Sequence, residues 1–189
     1  IMLMKIKDSH ILYINLKEDT EKRKRIEHQL DSLKLSYTRV DAVRGSKLTN
    51  LAYRKKISKL LSIPMSKLNV KYWTDRKNFK TMCKYPDAIM KKVGAYLSHM
   101  LAIKIALDKD LKNVVILEDD ADFLNNINNN IRVPKDADIV YLGGSFYNDV
   151  KKTVKLSKKL IAVDNDIIKL VGAFALLIPS KEKINDINN

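Results

Sequence analysis

Apolar residues recur along the chain in short continuous runs and in helical stripes, and their order predicts alternating strands and helices. His10 to Leu16 (HILYINL) is almost continuously apolar, the pattern of a short strand buried on both faces. Asp19 or Thr20 then caps a helix that reaches about Leu33. Ile26, Leu30 and Leu33 form its apolar stripe, while Lys22, Arg23, Lys24 and Arg25 make its first turns basic. Ser36 to Val43 reads as a second strand, ended by Arg44-Gly45-Ser46. A strand, a helix and a strand within the first 45 residues imply a parallel α/β sheet.

The pattern continues with a helix from Lys47 to Leu61. Residues 62–92 lack a clean period and hold Pro64 and Pro86, so we expect an irregular basic insertion there, with some helix in it. Val93 to Leu107 is apolar on more than one side and predicts a well-buried helix. Asn113 to Leu117 is the most apolar strand and runs into Glu118-Asp119-Asp120. Asn125 to Asn130 reads as a polar loop, and Ala137 to Leu142 as a strand closed by Gly143-Gly144. Residues 151–163 suggest a strand or hairpin with basic edges. The run Ile167 to Ile178 suggests one strand entering a second near Gly172, and Lys181 begins a helix.

A length of 189 residues fits one domain spanning 1–189. No stretch approaches the roughly 20 apolar residues of a membrane helix, and the short apolar opening Ile1–Ile6 does not read as a secretory leader. Cys83 is the sole cysteine, which rules out an intrachain disulfide and a cysteine-based zinc site. We therefore expect a cytoplasmic or membrane-peripheral location. The chain carries 36 Lys and Arg against 22 Asp and Glu, a net charge of +14. Between Leu51 and Lys92, 12 basic residues face only Asp75 and Asp87, so this segment holds most of the excess. Such a patch attracts phosphates or anionic membrane surfaces, with nucleic acid a lesser expectation; the alternative is a solvated lysine-rich face.

The candidate chemistry lies where the most apolar strand ends. Glu118, Asp119, Asp120 and Asp122 are packed into five positions. In open α/β sheets ligands bind outside the carboxyl ends of the strands. Crowded carboxylates there repel one another unless a cation, magnesium or manganese, is shared with substrate phosphates. If the chain stays extended, Glu118, Asp120 and Asp122 share one face and Asp119 points away. The alternative is a charged turn facing water.

Several segments, in order, resemble glycosyltransferase family 25, the family of bacterial lipooligosaccharide galactosyltransferases and procollagen galactosyltransferases. They are Tyr13-Ile14-Asn15-Leu16 with Arg23 and Arg25, and Val40-Asp41-Ala42-Val43 with Gly45. They continue with Gly94-Ala95-Tyr96-Leu97-Ser98-His99 and Val115-Ile116-Leu117-Glu118-Asp119-Asp120-Ala121. Asp138 to Gly144 and Gly172 to Ile178 resemble the family's two later strands. Ala95 stands where the family usually has Cys, and the chain stops soon after Lys181, so truncation at the C-terminus is expected.

The resemblance implies a GT-A-like fold: an α/β Rossmann-type mixed sheet flanked by helices, in one domain. It implies a UDP-sugar donor, Mn2+ or Mg2+, and transfer of galactose or glucose with inversion to a hydroxyl on a glycan or collagen-like acceptor. Glu118, Asp120 and Asp122 would hold the metal. Asn15, Leu16, Asp41, Ala42, Asp119, Ser98, His99, Gly143 and Gly144 would border the donor, and Arg23 or Arg25 would face its phosphates. Asp122 and Asp149 are candidates for the base that an inverting transfer needs. Tyr72 and Trp73 could stack on a sugar or a base. Two other readings fit less of the pattern: a metal-dependent nuclease or phosphoryl-transfer enzyme, and a non-catalytic nucleotide- or glycan-binding relative.

Overall fold

The computed structural model describes residues 2–71, 86–123, 130–146, 154–155, 161–162, 170–180, 182 and 184. A five-stranded sheet forms its centre. Strand β2 (His10–Asn15) leads through helix α1 (Thr20–Ser32) to β3 (Tyr37–Asp41), and β3 pairs parallel to β2. Helix α2 (Leu51–Leu61) and helix α3 (Pro86–Asp108) follow. Strand β4 (Val114–Glu118) then enters on the other side of β2, also parallel. The sheet is completed by β6 (Val140–Phe146) and β9 (Leu170–Ile178) in the order β3-β2-β4-β9-β6, with β9 antiparallel to both its neighbours. This mixed α/β sheet in one domain matches the expected GT-A-like class.

Alternation along the strands builds a core on each face. Leu12, Ile14, Val40, Val114 and Ile116 pack beneath α2 and α3 with Leu97, Leu101 and Ile57. Ile11, Tyr13, Val115 and Leu117 pack on the opposite face with Ile26 and Leu30 of α1. The strands are apolar without interruption because both faces are covered.

The boundaries differ from the sequence pattern in four places. The helix expected from Lys47 is split: a 3-10 turn covers Gly45–Thr49, and α2 starts afresh where the side chain of Asn50 accepts a hydrogen bond from Tyr53 N. Helix α3 starts at Pro86 rather than Val93, since proline's missing N–H costs nothing in a first turn. Residues 86–92 thus leave the irregular insertion, while 72–85, with Tyr72 and Trp73, lie outside the described residues. Strand β6 runs through Gly143-Gly144 instead of stopping there, with register shifts between Tyr141 and Gly143 and between Gly143 and Ser145. The glycines mark an irregularity inside a strand, not a turn. Likewise β9 passes Gly172 as one strand, held between β4 and β6.

A ribbon of β1 (Met2–Lys5) and β5 (Asn130–Val133) was not legible in the pattern, because each strand has only four residues; Asn130 belongs to it rather than to a loop. The hairpin expected in 151–163 is represented by β7 (Val154–Lys155) and β8 (Ile161–Ala162), which pair antiparallel. After β9 a helical turn begins, with Ile184 N bonded to Ser180 O and the Ile184 side chain buried.

Candidate active site

Three parallel strands end side by side. Asn15 is in register with Asp41, and Ile14 with Glu118. The chain leaves β2 toward β3 on one side and returns through α3 to β4 on the other, so the crevice above β2 and β4 lies at a topological switch point, where α/β sheets bind ligands. A cavity of about 520 Å³ opens there. Asn15, Leu16, Asp19 and Lys22 line it from β2 and α1; Ala42 to Ser46 line it beyond β3. Asp87, Lys91, Ala95, Ser98 and His99 do so from α3, and Glu118 and Asp119 from β4.

On the α1 side the hub is Asn15, 1% exposed. Its Nδ2 donates to Asp119 Oδ2 at 2.8 Å and to Asp19 O at 3.0 Å, while its Oδ1 accepts from Arg39 at 3.3 Å. Lys22 reaches Asp119 at 3.4 Å and Asp19 at 3.8 Å. Burial alone would lower the Lys22 pKa, but the carboxylates of Asp119, Asp19 and Asp120 together outweigh it and hold the ammonium's pKa above its usual value.

Lys22, not Arg23 or Arg25, is therefore the α1 cation in the cavity. Arg23 turns to Glu27 at 3.0 Å, and Glu27 also accepts from the buried Tyr13 hydroxyl. Burial, reinforced by Glu27, pushes the Tyr13 pKa well up. Arg25 pairs with Asp122 at 3.6 Å. The helical repeat turns Arg23 about 100° away from Lys22, while Arg25, one turn on, is engaged by Asp122 outside the cavity lining. The N-cap position was the available signal, since Lys22 follows Asp19 by three residues and both face the cavity.

On the α3 side Glu118 accepts from His99 Nε2 at 3.1 Å. A carboxylate only accepts, so Nε2 donates; His99 Nδ1 is buried with no partner among the described residues. Ser98 is 1% exposed, and its hydroxyl is committed to the backbone. It donates to Gly94 O at 2.7 Å and accepts from Val43 N at 2.8 Å. Beside it the chain crosses α3 backbone on backbone. A Cβ on Gly94 would lie 2.6 Å from Val43 O and 2.7 Å from Gly45 N, and one on Gly45 would run into Met90 O. These glycines let the cavity wall after β3 seat against α3.

Alternation holds between Glu118, which meets α3, and Asp119, which meets α1; pointing away from Glu118 keeps Asp119 in the cavity because the cavity spans the sheet's edge. It fails beyond that. Ala121 N bonds to Glu118 O, closing a turn, so Glu118, Asp120 and Asp122 do not share a face. Asp120 is exposed and does not line the cavity, though its charge acts on Lys22. Asp122 is drawn over α1 by Arg25 and by Gln29, which also accepts from Phe123 N at 2.9 Å. Asp41 pairs with Arg39 outside the cavity lining. Leu16 and Ala42 line it. Gly143 and Gly144 are in β6, and Asp149 lies outside the described residues.

Among the described residues no three His, Cys, Asp or Glu side chains form a metal cage. Magnesium and manganese seldom use one; one or two carboxylates plus phosphate oxygens suffice, and Glu118 with Asp119 fits that pattern. Among the described residues the lining carries three cations (Lys22, Arg44 and Lys91) and four carboxylates (Asp19, Asp87, Glu118 and Asp119). This local balance is less positive than that of the chain as a whole.

A polar cavity above the carboxyl ends of parallel strands, walled by a helix N-terminus and strand-end carboxylates, places the chain among α/β proteins that bind a ligand at the topological switch point of the sheet. The family comparison makes this particular: the model of glycosyltransferase family 25 (LPS biosynthesis protein) matches residues 8–171, and the chain belongs to that family. It is a glycosyltransferase, which displaces the nuclease and non-catalytic alternatives. No curated protein matches the chain at a significant level. Among the described residues no helix is long and apolar enough to cross a membrane.

Proposed function

We propose that this glycosyltransferase moves a hexose, galactose or glucose, from a UDP-sugar to a hydroxyl of a glycan acceptor, with inversion and with help from a divalent cation. The observation that carries the reading is the cavity at the switch point, where Asn15 fixes Asp119, and Asp119 in turn fixes Lys22. The α1 N-terminus at the cavity wall adds free backbone N–H groups and a positive dipole end, a setting that favours phosphate. Membership of a family of LPS biosynthesis proteins supports a lipopolysaccharide-type acceptor.

In the reaction, the acceptor oxygen forms a bond to the anomeric carbon as the bond from that carbon to the diphosphate oxygen breaks. The nucleotide leaves with the electron pair, and the hydroxyl proton passes to a base. Leaving-group charge is the main barrier, and preorganised positive charge lowers it. Lys22 supplies one such charge, while Asn15 keeps Asp119 from collapsing into the site. Glu118 and Asp119 would hold the divalent cation, which supplies Lewis-acid neutralisation of the diphosphate. Of the cavity's described side chains, Asp19, Asp87, Glu118, Asp119 and His99 can accept a proton, and Asp87 and His99 are the ones not given to the cation or to the α1 N-terminus.

Turnover of UDP-galactose and UDP-glucose, with and without manganese, tests the reading by release of UDP. Metal-dependent release from either donor supports it. No release from any UDP-sugar, alongside turnover of another nucleotide sugar, removes the UDP assignment.

A further inference from the structure

From Arg44 to Lys71 the chain has eight basic residues and no acidic one, and every residue of this segment is described. Folded surfaces ordinarily intersperse the two signs of charge; here a 28-residue stretch does not. Its centre is α2, whose inner face is fixed by the buried Ile57 and Leu61. The residues left outside come in pairs one turn apart: Leu51 and Ala52, Lys55 and Lys56, Lys59 and Leu60, all exposed. Three lysines thus form one continuous strip with a leucine at each end, Leu51 at 53% and Leu60 at 42% exposure. Among the described residues none of these lysines meets a carboxylate in an ion pair.

We propose that the outer face of α2 docks the enzyme on a bilayer surface rich in anionic headgroups. Charge complementarity selects the partner: lysines at such a surface are attracted individually and additively. The exposed leucines favour lipid over nucleic acid, because an apolar end at each side of a basic strip suits the headgroup–acyl boundary. A single-stranded nucleic-acid site would offer aromatic platforms instead, and the one aromatic of α2, Tyr53, is half-buried with its hydroxyl accepting from Arg44 N at 2.9 Å; duplex DNA is left to the competition experiment. That bond also ties α2 to the cavity wall, since Arg44 lines the cavity. Docking through α2 would therefore hold the cavity close to the membrane, where a lipid-anchored acceptor is presented. The inference does not depend on which nucleotide sugar is used.

The full chain would be sedimented with vesicles of phosphatidylcholine alone and of phosphatidylcholine with about one third phosphatidylglycerol, over a salt series. We expect binding to the anionic vesicles only, falling steeply with salt. The variant Lys55→Gln/Lys56→Gln/Lys59→Gln should bind roughly a hundredfold more weakly, and the Lys→Arg version should bind like wild type. Leu51→Ser/Leu60→Ser should lose the fraction that survives high salt. Soluble-donor turnover and thermal midpoint should be unchanged in all three. Equal binding to neutral vesicles, an unaffected Gln variant, or tighter binding to duplex DNA than to anionic vesicles at equal salt overturns the proposal.

Discussion

Two residues carry much of the proposed chemistry, and both are held by bonds that single substitutions can test. Asp119 sits between Asn15 and Lys22. A hydrogen bond between charged groups is worth about 1.5–3 kcal/mol, so Lys22→Ala should lower kcat/KM by roughly ten- to a hundredfold. Arg23→Ala, whose guanidinium is spent on Glu27, should change it by less than about threefold. Steady-state kinetics on the two variants decide the matter, and a larger loss from Arg23 would reverse the assignment. A pH effect belongs to this scale as well. Burial, helped by Lys109, holds the His10 pKa below 6.5, so the folded state prefers the neutral ring bonded to Thr38 at 2.8 Å. A depressed histidine contributes stability above its unfolded pKa and loses it as pH falls through the folded one. Urea midpoints should drop below about pH 6.5, and His10→Gln should flatten that slope.

At the scale of elements, the residues that resembled a donor-binding motif in the sequence prove to join two elements. Ser98 and Gly94 on α3 seat the strand-end segment Val43–Gly45. Ser98→Ala would leave the buried Val43 N–H unsatisfied, at a cost of about 1–3 kcal/mol. Gly45→Ala would force a methyl group into the α3 backbone, with a loss near 3 kcal/mol. Denaturant titration should show both losses. A large rise in donor KM for Ser98→Ala with stability intact would instead make the hydroxyl a substrate contact. The strands and helices were legible because burial on two faces leaves unbroken apolar runs and burial on one leaves a stripe. The ends of elements were less so. Gly143-Gly144 reads as a stop unless the neighbouring strand is known, and four-residue ribbons such as β1 and β5 carry too few positions to show a period. The site was half legible for the same reason. Its place, after β4, follows from sheet topology, but the turn closed by Ala121 N and Glu118 O decides which carboxylates meet, and nothing in Glu118-Asp119-Asp120-Ala121-Asp122 announces it.

The whole molecule carries a strong positive charge, +14, yet among the described residues the cavity lining holds more carboxylates than cations. The global field draws an anion toward the protein, while the local balance decides what it must bring. A diphosphate entering alone meets Asp119 and Glu118; one entering with a divalent cation meets ligands for it. Affinity for UDP should therefore depend on metal far more than affinity for uridine, which has no phosphate to share. A ligand at a hundred times its Kd stabilises the folded state by about 2.7 kcal/mol. For a chain of this size that raises Tm by roughly 5–10 °C. We expect a shift of that order with UDP and manganese together, little with UDP in chelator, and no metal dependence with uridine. Asp119→Asn should remove the metal-dependent part and Asp122→Asn should keep it, because Asp122 is engaged with Arg25 outside the cavity. If UDP shifts Tm equally in chelator and in manganese, the three cations of the lining suffice and the enzyme works without a metal.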